Sequence, residues 1–189
     1  MDIKPLSLSG VYEINLDPKI DHRGHFIRTF DKQVFDNFGI NRNWMQENHS
    51  LSIKKGTIRG LHFQLPPFSE TKLIRVIKGA IFDVFVDLRE DSPTFGQWDF
   101  IELREDNFQM VLIPRGFAHG FCTLADNCEV TYKVDNFYSP KHEAGILWND
   151  SSLNIDWPVS DPILSKKDSE LPPLEDFIKN HKGINLNNE

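Results

Sequence analysis

A chain of 189 residues with 39% hydrophobic and 12% aromatic content is long enough to bury one sizeable core, and it is read as a single domain spanning residues 1–189. Its 28 acidic against 21 basic residues give a net charge of −7, which disfavours nucleic acid or an anionic membrane as partner. Two cysteines, Cys122 and Cys128, form neither a CxxC pair nor a spaced framework, so a zinc ribbon and a disulfide-stapled secreted module are excluded and two buried free thiols are expected.

The first ten residues, MDIKPLSLSG, lack a basic segment followed by an apolar core, and no window of about 18 apolar residues occurs. The expectation is a cytoplasmic protein. Residues 10–16 and 24–30 are short β-branched or aromatic runs separated by turn chemistry, and they read as strands. Residues 31–39 read as a helix. Asp31 can cap it, Val34, Phe35 and Phe38 repeat at helical spacing, and Gly39 suits the left-handed position after its end.

From Trp44 to Asp135 strand signals recur every eight to twelve residues, with Pro, Gly, Asn and Asp between them. That is the spacing of an antiparallel sandwich or barrel. Within it, the stretch from Gly56 to Gly79 holds two strands joined by Pro66 and Pro67. Alternation puts Leu61, Phe63 and Leu65 on one face and Gly60, His62 and Gln64 on the other, so His62 and Lys72 can face one interior from neighbouring strands. Residues 80–89 read as a buried central strand in which Asp83 and Asp87 share a parity with Ile81 and Phe85, inward or outward. After Ser139 the pattern is irregular, with a short helix expected near Leu174–Asn180 and a frayed tail from Gly183.

A second informative stretch is Pro114, Gly116 and His119, a turn that delivers a histidine at the start of a strand. With His62, Gln64 and Lys72 before Gly79, it resembles the two motifs of the cupin superfamily, and the fold this implies is all-β, a jelly-roll sandwich or barrel with a few short peripheral helices. The metal set of a cupin is broken. Gln64 stands where an imidazole would ligate and Lys72 where a carboxylate would, and an ammonium repels a divalent cation. The pocket is therefore read as metal-free.

Several further motifs agree on a narrower resemblance covering Gly10 to Leu174: Asp21-His22-Arg23-Gly24 with Phe26, the run Gln46 to Ser50, Arg59 to Gln64, Lys72-Leu73, Asp87-Leu88-Arg89, Tyr132-Lys133, Tyr138, Glu143, Trp148-Asn149-Asp150 and Lys167-Asp168. Together they resemble the dTDP-4-dehydrorhamnose 3,5-epimerases. The resemblance implies an isomerase that inverts C3, C5 or both in a nucleotide-diphospho-4-keto-6-deoxy sugar, without a cofactor, for the making of surface polysaccharide. It implies His62 as base, Asp168 as the group orienting its ring, Lys72 as the cation for the enolate and Tyr132 as acid. Arg23, Arg59 and His119 would meet diphosphate and sugar oxygens and Tyr138 would stack on the base. Phe26, Arg28, Gln46, Asn48, Glu143 and Lys167 complete the substrate-binding set. A homodimer is expected, with the N-terminal strands exchanged.

Each of these residues also has a plain structural reading. A lone strand histidine is more often a satisfied structural residue, Tyr132 fits a core aromatic by alternation, and Asp168 lies in what reads as a solvated charge run. Arg59 has the wrong parity to share a pocket with His62 unless the strand is bulged. His22, His25, His49, His142 and His181 are read as surface or structural. Two departures from the family pattern, Arg28 in place of Glu and Glu70 in place of Gln, keep a guanine-linked 4-keto heptose or deoxysugar open as substrate. The rivals are a metal-dependent cupin and a catalytically dead sugar-nucleotide-binding module.

Overall fold

The computed structural model describes residues 1–187. Near the N-terminus come strands β1 (Asp2–Pro5), β2 (Tyr12–Asn15), β3 (Lys19–Asp21) and β4 (Gly24–Phe26), then helix α1 (Lys32–Asn37). Eight strands follow: β5 (Gln46–Ser52), β6 (Ile58–Gln64), β7 (Lys72–Lys78), β8 (Ala80–Asp87), β9 (Trp98–Arg104), β10 (Gln109–Ile113), β11 (Phe117–Thr123) and β12 (Cys128–Val134). The last described elements are β13 (Glu143–Gly145), α2 (Lys166–Ser169) and α3 (Leu174–His181).

Two antiparallel sheets make a jelly-roll sandwich. One runs β1-β2-β10-β7-β12-β5 and the other β13-β6-β11-β8-β9, with β3-β4 as a separate hairpin. Between them lie Ile74, Val76, Val111, Ile113 and Val130 from the first sheet and Ile81, Phe85, Leu103, Phe117 and Phe121 from the second. Burying each such side chain is worth about 1.5–3 kcal/mol, so this seam contributes heavily to the stability of the sandwich.

Alternation along β8 explains the rest of the layering. Phe82, Val84, Val86 and Leu88 point away from the seam into a second apolar cluster with Trp157, Leu174 and Phe177. All eight residues of the strand are buried. The parity left open by the sequence is thereby resolved: Asp83 and Asp87 are both inside, with 0% exposure.

Helix α1 forms as its sequence requires. Asp31 caps it by accepting from the Gln33 N–H, and Phe35 is buried with Ile3, Ile14, Leu73 and Met110 on the outer face of the first sheet. Three expectations need correction, and Asp2–Pro5, to which the sequence assigned no element, is a strand paired with β2. The run from Gly24 keeps strand structure only to Phe26. The irregular region after Ser139 contains β13, paired with β6, and the single turn α2. The tail is docked up to Asn187, since Ile184 is 2% exposed and its N–H donates to the Leu88 carbonyl at 2.7 Å; the last two residues of the expected fray lie outside the described residues. Among the described residues no helix is long and apolar enough to cross a membrane.

Candidate functional site

A cavity of about 380 Å³ opens at one end of the sandwich, walled by β5, β6, β7, β11, β12, β13 and α2. Its key feature is a bulge in β6. His62 pairs with His119 and Arg59 with Phe121, so three steps along β6 match two along β11. The extra residue reverses the parity of the strand. Ile58 consequently joins Leu61 and Phe63 in the apolar cluster, while Arg59 and His62 both line the cavity. Gly60 makes this possible, with φ of +118° and a close approach at which a Cβ would stand 2.6 Å from Gly120 Cα and 2.7 Å from the His119 carbonyl.

His62 Nε2 lies 2.7 Å from Asp168 Oδ1. Asp168 reaches it because Ser165 caps α2 by accepting from the Asp168 N–H at 3.0 Å, which turns the carboxylate inward and leaves its side chain 6% exposed. Burial pushes the carboxyl up, but the His62 ring, the Ser165 hydroxyl and the Gly60 amide outweigh it and hold Asp168 below the usual carboxylate value. An ionised carboxylate only accepts, so Nε2 carries the proton and Nδ1 is left to act as a base.

Lys72 Nζ, on a side chain 9% exposed, donates to the His62 carbonyl at 3.2 Å and pairs with Glu70 Oε1 at 3.3 Å. Gln64 is committed elsewhere. Its amide nitrogen is within 3.1 Å of the Phe68 and Phe137 carbonyls and of Glu70 Oε2, and its oxygen accepts from the Ser139 N–H. Tyr132 lines the cavity and also packs against the seam, as its reading as a core aromatic expects. Burial first, then the charges of Glu70 and Glu143, push its phenol up against the opposing Arg59.

His119 also lines the cavity, and its Nε2 is 2.9 Å from Asp83 Oδ2. Asp83 is pushed up by burial against the pull of His119 and Lys72, and its Oδ1 has no hydrogen-bond partner among the described residues. At the mouth Tyr138 is half exposed. Its hydroxyl donates to Glu143 at 2.9 Å and its N–H to Gln46 at 2.8 Å. Lys167 also pairs with Glu143; burial works against ionisation of that carboxyl, but the two donors hold it low. Asn48 completes this side. Arg59 is fixed by Ser52 Oγ at 3.0 Å and the Leu51 carbonyl at 3.1 Å.

Of the sequence-derived site residues, His62, Lys72, Tyr132, Asp168, Gln46, Asn48, Arg59, His119, Tyr138, Glu143 and Lys167 meet at this cavity. Arg23, Phe26 and Arg28 do not line it within one chain. Arg23 is paired with Asp21 on the β3-β4 hairpin, Phe26 is 68% exposed, and Arg28 pairs with Asp31. Sequence reasoning missed the inward aim of Asp83 and the place of Glu70 in the wall. The signal for Asp83 was an acid on the parity of Ile81 and Phe85. The remaining histidines sit elsewhere, for example His142 against Ser139 and His181 against Phe177. Cys122 and Cys128 are free and buried, and burial pushes the Cys122 thiol up to about 11.

Residues 5–176 match the family model described as dTDP-4-dehydrorhamnose 3,5-epimerase. The chain is 50% identical over 155 residues to the dTDP-4-dehydrorhamnose 3,5-epimerase of Shigella flexneri, covering 80% of this chain and 85% of that one. Its structure superposes on the Bacillus anthracis enzyme of that name, crystallised with TDP and pyrophosphate, with TM-score 0.89, 48% identity and coverage of 91% and 98%. The Legionella pneumophila epimerase bound to dTDP-4-keto-L-rhamnose matches with TM-score 0.88, 37% identity and coverage of 92% and 93%. The chain belongs to the dTDP-4-dehydrorhamnose 3,5-epimerase family.

Proposed function

We propose that the protein inverts C3 and C5 of a dTDP-linked 4-keto-6-deoxy hexose, giving the dTDP-4-keto-L-rhamnose that the Legionella relative binds. The observation that carries this reading is the convergence of His62, Lys72 and Tyr132 on one cavity, with Asp168 behind the histidine.

The C4 ketone acidifies the hydrogens on C3 and C5. His62 Nδ1 takes the proton, the C–H electron pair moves to O4, and the Lys72 ammonium steadies the enolate. Tyr132, held in its phenol form, returns a proton from the opposite face and is recharged from solvent, to which the His62 imidazolium gives up the proton it took. Asp168 keeps the ring in its basic tautomer and supports the imidazolium that forms. Each step moves a proton and none changes oxidation state, so these side chains suffice without a cofactor or metal.

At the nucleotide end, Arg59, His119, Gln46, Asn48, Lys167 and Glu143 are assigned to the diphosphate and sugar, with forked guanidinium donors suited to phosphate, and Tyr138 to the base. Arg23, Phe26 and Arg28 are assigned to the cavity of a second copy, in a homodimer that exchanges the β3-β4 hairpin. Every residue of both hairpin strands is exposed, and Ile20 and Phe26 present apolar surface that needs a cover. The protein is further assigned to the cytoplasm as one domain, its two sheets sharing a single apolar seam. The test is incubation with dTDP-linked and GDP-linked 4-keto sugars, followed by proton NMR. Inversion of the dTDP sugar supports the reading; inversion of the GDP sugar alone would refute the thymidine assignment.

A further inference from the structure

Glu70 is out of place by simple electrostatics. A carboxylate in the wall of a cavity that must take a diphosphate and stabilise an enolate repels both, yet Glu70 lies there with its side chain 13% exposed. It is also fixed in place. Oε1 is 3.3 Å from Lys72 Nζ, and Oε2 accepts at 3.0 Å from Gln64, itself tied to the Phe68 and Phe137 carbonyls and the Ser139 N–H. The carboxylate cannot swing aside without breaking that chain of hydrogen bonds.

We propose that Glu70 is a positioning residue for the epimerisation, clamping the Lys72 ammonium beside the point where the enolate oxygen forms and keeping Tyr132 as a proton-bearing phenol. This deepens the functional reading above and rests on it. A negative charge across the cavity resists formation of a second one on the phenol, and among the charges acting on Tyr132 that of Glu70 leads, ahead of Arg59, which favours the phenolate, and Glu143, which opposes it. The other charged or titratable groups lining the cavity are His62 on β6, Lys72 on β7, His119 on β11, Tyr138 after β12, and Lys167 and Asp168 on α2. Glu70→Gln keeps the shape and a hydrogen-bonding oxygen and removes the charge.

The test measures kcat and KM against pH for wild type, Glu70→Gln and Glu70→Asp. The alkaline limb of kcat is expected to move down by about 0.5–1 pH unit in Glu70→Gln, with KM changed less than about threefold, and to return in Glu70→Asp. A limb that stays in place in Glu70→Gln overturns the proposal. A readout independent of turnover is the ultraviolet titration of the Tyr132 phenol, isolated as the difference between each protein and its Tyr132→Phe counterpart. Phenolate forming at lower pH in Glu70→Gln supports the proposal, and equal midpoints overturn it. Should Glu70→Gln fail to fold, Glu70→Ala read by the same absorbance titration decides: phenolate forming at lower pH than in wild type supports the proposal, and an equal midpoint overturns it. If no 4-keto sugar nucleotide is turned over, the epimerase reading fails, while the absorbance titration still judges Glu70.

Discussion

His62 and Asp168 are 106 residues apart in the chain, yet His62 Nε2 lies 2.7 Å from Asp168 Oδ1. The contact joins the bulged strand β6 to the single turn α2, and it sets both the tautomer of the ring and the charge of the carboxyl. Asp168→Asn keeps the shape but removes the charge that fixes the tautomer. The expected result is a fall in kcat of about 10²–10³-fold with KM within a few-fold of wild type, read by steady-state kinetics.

The same contact has a pH signature in stability. Asp168 is held below its ordinary value, so its contribution is fully present above the unfolded carboxylate value of about 3.9 and is lost as pH falls through the lower native value. Urea melts between about pH 3 and 6 should therefore show a steeper acid loss in wild type than in Asp168→Asn.

Tyr132→Phe removes the proposed acid and leaves the base. Deuterium exchange into the sugar should persist within about tenfold of wild type while net inversion falls by about 10²-fold or more, both followed by NMR. Equal losses of exchange and inversion would instead make Tyr132 part of the deprotonation step.

Gly60 holds the bulge that gives Arg59 and His62 a common cavity. Gly60→Ala places a methyl carbon 2.6 Å from Gly120 Cα at a φ of +118°, so it should destabilise the fold by more than about 2 kcal/mol, measured by denaturant unfolding. The loss of activity should exceed the loss of folded protein, because relaxing the bulge turns Arg59 or His62 out of the cavity.

The proposed exchange of the β3-β4 hairpin predicts how mixtures behave. Arg23→Ala and His62→Asn chains refolded together should recover about one quarter of wild-type activity, since half of the random dimers would carry one intact site of two. No recovery would confine Arg23 to the cavity of its own chain.

Much of this was legible in the sequence because it depends on local period and turn chemistry. The helix capped by Asp31 and the run of strands between Trp44 and Asp135 follow from neighbours in the chain, whereas His62 and Lys72 share the cavity not from neighbouring strands, as expected, but from strands of opposite sheets. The parity conflict at Arg59 was visible as a conflict, and the register shift beside Gly60 is its resolution. What was not legible depends on distant partners. Ser165 turns Asp168 inward but only the fold brings His62 to meet it, the strand character of Glu143–Gly145 exists only because β6 is beside it, and Ile184 is ordered by Leu88 and Arg89. The inward turn of Asp83 needed His119 as partner, supplied by a strand 36 residues away.

In the proposed mechanism everything follows from His62 removing hydrogen from carbon beside a ketone. Its most direct measurement is deuterium uptake at C3 and C5 of the dTDP-linked 4-keto sugar in deuterated water, followed by NMR for wild type and His62→Asn. Uptake at both carbons is expected with wild type and none above background with His62→Asn. Undiminished uptake at either carbon with His62→Asn would contradict it.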